Sequence, residues 1–211
     1  LNYILGLLFA LLLNNKHIKG KAFWRLFPIL VYAIPGFITL TAFKFLFSQG
    51  GPINQAVIAN GGKEIPFLLK DGKWYARIIG LCVNAWLTIP SVMLLATGVL
   101  SNISNDLYEA ARIDGASKFK QFKDITLPFV VFATTPNLIT SFIGNFNNFG
   151  VFYFLRPDVV SDGYFCSSDT DLLINWLYHL SIDNSYYSIG SAISLIICII
   201  TSCISLIVYI K

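Results

Sequence analysis

Apolar and polar positions alternate along this chain in long blocks. An apolar run at 1–13 gives way to a basic stretch at 14–27, and further runs at 28–47, 75–100, 129–155 and 188–210 are separated by polar segments at 48–74, 101–127 and 156–187. A helix needs about 20 apolar residues to cross a bilayer, and four of the runs reach that length. The first, LNYILGLLFALLL, is too short. It reads as the end of a truncated span that begins further upstream: a signal peptide would carry positive charge before its apolar run, whereas Lys16, Lys19 and Lys21 follow this one. The pattern predicts an all-α, polytopic membrane helix bundle with four complete spans plus one truncated span, forming a single domain over residues 1–211.

Within the runs, Pro28, Pro35 and Gly36 interrupt the first complete span, and Pro35-Gly36 predicts a kink near mid-membrane. Lys44, near the end of that span, can snorkel to the headgroups. In the polar segment that follows, the apolar patch IPFLL at 65–69 is expected to touch the membrane surface or the bundle. Gly190, Ser194, Cys198 and Ser202 recur every fourth residue in the last span, a stripe of small side chains that permits close helix contact.

Charge orients these spans. Residues 14–27 hold Lys16, Lys19, Lys21 and Arg25 with no acid, which places that stretch in the cytoplasm by the positive-inside rule. His17 reads there as a solvated loop residue, and Phe23, Trp24 and Phe27 suit a helix at the interface. The remaining loops then alternate: 48–74 outside, 101–127 inside with four basic and four acidic residues, and 156–187 outside with five acids and one basic residue. The N-terminal end is external and Lys211 cytoplasmic. At 55% hydrophobic and 12% charged, against about 25% charged in a soluble domain, the chain belongs in lipid. The net charge is +4, but Lys and Arg are concentrated in two loops, so the excess speaks to orientation and not to nucleic acid. Cys82, Cys166, Cys198 and Cys203 have no metal-ligand spacing. Three of them read as small buried hydrophobes, and Cys166 stands alone on the outer side. No internal repeat or low-complexity tract is evident.

The polar stretch 109–128, EAARIDGASKFKQFKDITLP, is the most informative. Asp106 stands three residues before Glu109 and is expected to cap a helix there. Asp114-Gly115 is a turn signal in which the glycine can take positive φ. Two short helices with a bend follow. Phe119 and Phe122 share a face amid Lys118, Lys120, Lys123 and Asp124, and need either a partner surface or a fold back onto the bundle. Glu109-Ala110-Ala111, Gly115, Ile125 and Leu127-Pro128 together resemble the cytoplasmic EAA signature of permease subunits of bacterial ABC importers. That resemblance implies an ATPase-coupling loop at 101–127, with Glu109, Ala110, Ala111, Asp114, Gly115, Phe119, Phe122, Ile125, Leu127 and the adjoining Pro128 as the coupling residues.

Polar side chains also lie inside the membrane. Asn84, Thr88 and Ser91 share one helix face, as do Ser141, Asn145 and Asn148. At about 1.5 Å per residue, Asn84 and Asn145 lie roughly 14 and 15 Å below the outer ends of their helices, so the two faces can meet at one level. Unpaired amides facing lipid cost on the order of a few kcal/mol each, so these faces turn to a partner helix or a wet cavity. Neutral donors and acceptors suit sugar hydroxyls. Interhelical bonding that only holds the bundle together is the other reading.

The resemblance extends along the chain, through Leu11-Leu12-Leu13-Asn14, Gly51-Pro52-Ile53-Asn54, Asn84-Ala85-Trp86, Asp106-Leu107-Tyr108, Asn145-Phe146-Asn147-Asn148-Phe149 and Thr170-Asp171-Leu172-Leu173. These are similar to the maltose-type (MalF-like) sugar permease subunit of type I ABC importers. The likeness implies a sugar site drawing on Asn84, Thr88, Ser91, Asn145 and Asn148. Ser91 and Gly144 stand where that family has a tyrosine and a phenylalanine against the sugar rings, Thr88 replaces a glycine, and Arg156-Pro157-Asp158 stands where a Gly-Gly-Pro is common. Those departures point away from maltose itself.

The resemblance further implies a second permease subunit, an ATPase subunit dimer, an extracytoplasmic sugar-binding protein, a sugar substrate and surrounding lipid, in the cell (cytoplasmic) membrane. No cofactor is expected on this chain: it has no G-x-x-x-x-G-K-[ST] loop, so ATP and Mg belong to the partner ATPase. Two alternatives remain. A non-sugar importer of peptides or amino acids would want a fixed intramembrane charge. A membrane enzyme would use His179 with Asp158, Asp162, Asp169, Asp171 and Asp183, whose spacing matches no metal or catalytic motif.

Overall fold

The computed structural model describes residues 1–14, 18–155, 167, 168 and 170–210. Lys16, His17, Arg156, Pro157, Asp158, Asp162, Cys166, Asp169 and Lys211, used in the sequence reading, lie outside them. Among the described residues there is no strand. The α-helices are α1 (Asn2–Asn14), α2 (Lys21–Ala33), α3 (Gly36–Phe47), α4 (Pro52–Ala59), α5 (Lys73–Ser101), α6 (Asn105–Ile113), α7 (Lys118–Gln121), α8 (Leu127–Phe146), α9 (Phe149–Phe154), α10 (Leu173–Tyr178) and α11 (Tyr187–Ile210). Wide π turns at Phe122–Thr126 and His179–Asp183 follow α7 and α10. Among the described residues three helical stretches are long and apolar enough to cross a membrane: Lys73–Ser101, Lys118–Phe154 and Tyr187–Ile207. A fourth span exists only as a broken one, Lys21–Ala33 with Gly36–Ala59.

That break replaces the expected kink. Pro35 is extended, with φ −54° and ψ 130°, and a residue before proline is pushed away from helical geometry. α2 therefore stops at Ala33, and α3 restarts at Gly36 with the Pro35 carbonyl accepting from the Ile38 N–H at 3.0 Å. α2 also begins earlier than the apolar run does, at Lys21 inside the basic stretch.

The chain packs as two compact units, and α5 and α8 each run through both. The first comprises Leu1–Ala33 and Ala85–Thr140. Its core is Ala10 and Leu13 of α1, Met93, Ala96 and Leu100 of α5, Ile103, and Val130 of α8. Gly6 sets the approach of α1 to α5: a Cβ there would stand 2.6 Å from Val92 Cβ, inside contact distance. Asn2 Nδ2 donates to Thr88 Oγ1 at 3.4 Å, and the Tyr3 and Thr134 hydroxyls bond each other. In lipid such packing and hydrogen bonds hold helices together, because apolar burial alone gains little there.

The second unit comprises Ile34–Asn84 and Ser141–Lys211. Here the 65–69 patch packs on the bundle, with the Phe67 ring 5.3 Å from Phe47 and 5.7 Å from Tyr75. Asn54 anchors it: its fully buried amide accepts from the Ile65 N–H at 2.9 Å and donates to the Ile65 and Ser48 carbonyls at 3.0 and 3.3 Å. Residues 173–183, expected as part of an outer loop, are helical, with Asn175, His179 and Leu180 buried. In α11 the buried positions are Gly190, Ile197 and Thr201, while Ser194, Cys198 and Ser202 of the small-residue stripe are exposed. Cys82, Cys198 and Cys203 are likewise exposed and not buried hydrophobes as expected, since they lie on helix faces that this chain does not cover.

Candidate functional site

In the second unit the apolar run after α8 does not stay helical. The helix ends at Phe146, Asn147 turns, and Asn148 takes φ −78° and ψ 73° with the Phe149 N–H donating to the Asn147 carbonyl at 2.8 Å. This is an inverse γ-turn, and it swings Asn148 toward α5. Three amides then form a relay. Asn148 Nδ2 donates to Asn84 Oδ1 at 2.8 Å, Asn84 Nδ2 donates to Asn145 Oδ1 at 2.8 Å, and Asn145 Nδ2 donates to the Ser141 carbonyl at 2.7 Å. The two polar faces expected at one level thus meet at Asn84. Asn145 is exposed and Asn148 half-buried. Each carboxamide carries two donor hydrogens and two acceptor lone pairs, so Asn145 and Asn148 have bonding capacity beyond this relay.

Beside the relay lies an aromatic nest that sequence reasoning missed. The Phe149 ring is 4.6 Å from Tyr153 and 4.9 Å from Tyr178, and Tyr153 stacks on His179 at 6.3 Å. Asn175, wholly buried on α10, donates from Nδ2 to the Phe149 carbonyl at 2.9 Å. Its signal was a lone amide inside the apolar stretch LINWLY.

Thr88 and Ser91, further along α5, belong to the first unit. Thr88 receives the Asn2 amide, and Ser91 Oγ donates to the Thr88 carbonyl at 2.8 Å. Gly144 is exposed, with nothing near the place a Cβ would occupy.

The polar segment of the first unit has its own architecture. The cap of α6 is Ser104, whose Oγ accepts from the Asp106 N–H at 3.2 Å, and not Asp106, which lies inside the first turn. Serine at this position already has the extended backbone a cap needs, with ψ 136°. The far end of α6 closes on Gly115 at φ +75°, with the Ala116 N–H bonding the Ala111 carbonyl at 2.8 Å and the Gly115 N–H bonding Arg112 at 3.0 Å. That is a Schellman closure, for which glycine is the natural residue.

The expected second short helix does not stop. α7 passes through the π turn directly into α8. Tyr108 and Ile125 rest on the core around Met93, and Tyr108 Oη lies 2.8 Å from Thr126 Oγ1. Phe122 is half-buried, so the two phenylalanines are not equivalent: Phe119 is 74% exposed. Glu109, Ala110, Asp114, Leu127 and Pro128 are exposed, Ala111 is half-buried, and Ile113 is 87% exposed.

Of the residues named for enzyme chemistry, His179, Asp171 and Asp183 lie among the described residues. His179 is buried and bonded to Asp183, Asp171 accepts from the Ser168 N–H at 2.8 Å, and no metal-holding group of His, Cys, Asp and Glu occurs among the described residues.

Membrane-length helices, one broken where amides meet, and an exposed helix–glycine–helix segment define a polytopic membrane helix protein. The chain belongs to the family described as binding-protein-dependent transport system inner membrane component, which it matches over residues 2–210. It is 36% identical to the galactooligosaccharides transport system permease protein GanP of Bacillus subtilis (strain 168), over 98% of this chain and 49% of that protein. It is also 36% identical to the maltodextrin permease MalC of Streptococcus pneumoniae serotype 4, over 100% and 50%, and 35% identical to the maltose/maltodextrin permease MalF of Escherichia coli (strain K12), over 98% and 41%. The chain thus spans about half the length of the curated relatives it matches. Among solved structures, a bacterial ABC transporter involved in import of the acidic polysaccharide alginate superposes with a TM-score of 0.76 at 20% identity, covering 98% of this chain and 71% of that one. At that identity the likeness is one of fold.

Proposed function

We propose that this chain is the translocating, non-catalytic subunit of an ATP-driven importer that carries an oligosaccharide across the cytoplasmic membrane. The observation that carries this reading is the uncharged relay of Asn148, Asn84 and Asn145 within membrane-length helices. A hydroxyl-rich solute can replace such neutral bonds one for one, whereas a zwitterion would leave its charges unmatched. The relatives named for galactooligosaccharides and maltodextrin support the same solute class. Asn84, Asn145 and Asn148 are the direct contacts, with Thr88 and Ser91 further along the path on α5.

The exposed surface of Glu109, Ala110, Asp114, Gly115 and Phe119 is the docking face for an ATPase dimer, which holds the ATP and Mg. Ala111, Phe122, Ile125, Leu127 and Pro128 lead from that face toward the helices. On this reading residues 101–127 face the cytoplasm. The chain works beside a second permease subunit, with an extracytoplasmic sugar-binding protein delivering cargo, and itself binds no cofactor. Alternate opening of the paired permeases around the relay would move the sugar.

The test is uptake by the reconstituted complex, comparing maltotriose with a galactotriose, for the native chain and Asn145→Ala. Loss of one hydrogen bond to the sugar is expected to raise KM between about two- and tenfold for the preferred sugar. Equal transport of both sugars by both proteins would sink the assignment.

A further inference from the structure

We propose that Asn175 is a positioning residue for the amide relay: it clamps the first turn of α9 so that the Asn148 side chain reaches Asn84 instead of folding back to cap its own helix. Asparagine is among the best N-cap residues, and Asn148 occupies the N-cap of α9. Yet it makes no capping bond and gives its amide to Asn84 at 2.8 Å. The same side chain thus has two competing uses. α9 has six residues, too few to hold a helix by its own bonds.

What holds its first turn comes from α10. Asn175 Nδ2 donates to the carbonyl of Phe149, the residue directly after Asn148, and the Phe149 ring packs against Tyr178 one turn further along α10. The other end of the Asn175 amide, Oδ1, is buried and makes no hydrogen bond among the described residues. A leucine would fill the same space without that unmet acceptor, so the amide is accounted for by what its donor does. Turning the backbone at 148–149 would cost that bond, so the clamp disfavours the cap conformation of Asn148.

The part of this inference that concerns cargo rests on the sugar-site reading above; the clamp itself does not. Both are tested in the full-length subunit within its assembled transporter. In the first arm, Asn84→Cys with Asn148→Cys is joined by a short bifunctional thiosulfonate reagent, the native cysteines having been changed to serine. Yield is counted per membrane-inserted molecule. Asn175→Leu and Asn175→Asp, neither of which can donate as the amide does, are expected to lower that yield roughly tenfold. Unchanged yield in both overturns the proposal.

The second arm measures uptake of maltotriose and galactotriose. Asn175→Leu is expected to raise KM with little change in maximal rate, and the rise is expected to vanish in an Asn148→Ala background. An undiminished rise there overturns the proposal, because Asn175 would then not act through Asn148. Lower cross-linking with unaltered KM leaves the clamp standing and removes the sugar site instead.

Discussion

Tyr108 Oη and Thr126 Oγ1 lie 2.8 Å apart, joining α6 to the π turn that leads into α8. Both flanks of that bond rest on one core, since Tyr108 and Ile125 pack on the cluster around Met93 and Leu100. On the proposed docking reading, movement imposed on α6 would pass to the membrane helices through these half-buried contacts. Tyr108→Phe removes the bond at a cost of about 1 kcal/mol and leaves the buried Thr126 hydroxyl without it. The expected result is fewer solute molecules moved per ATP hydrolysed by the complex, with the ATPase rate itself maintained. An unaltered ratio would show that the bond carries no force.

Glu109 is exposed on α6 beside the exposed Ala110. Glu109→Lys reverses charge on the proposed docking face without touching the core. Transport is expected to be lost while membrane insertion stays normal, as measured by uptake and by the amount of subunit recovered from membranes. Normal uptake would remove Glu109 from the docking face.

Gly115 closes α6 at φ +75°. A β-branched residue there meets the left-handed region at a cost of about 1–2 kcal/mol, whereas asparagine tolerates it better. Gly115→Val is expected to melt the turn between α6 and α7 and to abolish uptake, with Gly115→Asn close to native. The check is uptake alongside hydrogen exchange of the Ala116 amide, which should accelerate only in the valine variant.

Between α1 and α5 the limit is steric. Because a Cβ on Gly6 would stand 2.6 Å from Val92 Cβ, Gly6→Leu overpacks the contact at about 1–3 kcal/mol. The melting temperature in detergent is expected to fall, and Val92→Ala in the same chain to restore part of it. Equal melting of single and double variants would show that the two residues do not share the space.

Asn54 is the staple of the 48–69 segment. Asn54→Leu strips partners from the Ile65 N–H and from two carbonyls, a loss on the order of 2 kcal/mol. Trypsin cleavage after the exposed Lys63 is expected to speed up severalfold in reconstituted vesicles. A cleavage rate equal to that of the native chain would mean that Asn54 does not hold the segment, leaving contacts such as the Phe67 ring and the Gly50–Glu64 bond.

The length and apolar content of its runs made a membrane bundle legible from the sequence, and the turn at Asp114-Gly115 was equally plain, because both depend on neighbours in the chain. Helical spacing also put Asn84 and Asn145 at one depth, since two helices of known rise can be measured against each other. Tertiary structure alone decided which polar groups pair. Asn84 and Asn148 are 64 residues apart in sequence, and Asn175 and Phe149 are 26 apart. It also decided that the run at 28–47 is broken outright at Pro35, that Ser104 and not Asp106 caps α6, and that His179 is buried beside Asp183. Each of these turns on where a side chain finds its partner in space. Periodicity fixes the face of a helix on which a residue sits, and only packing fixes what that face meets.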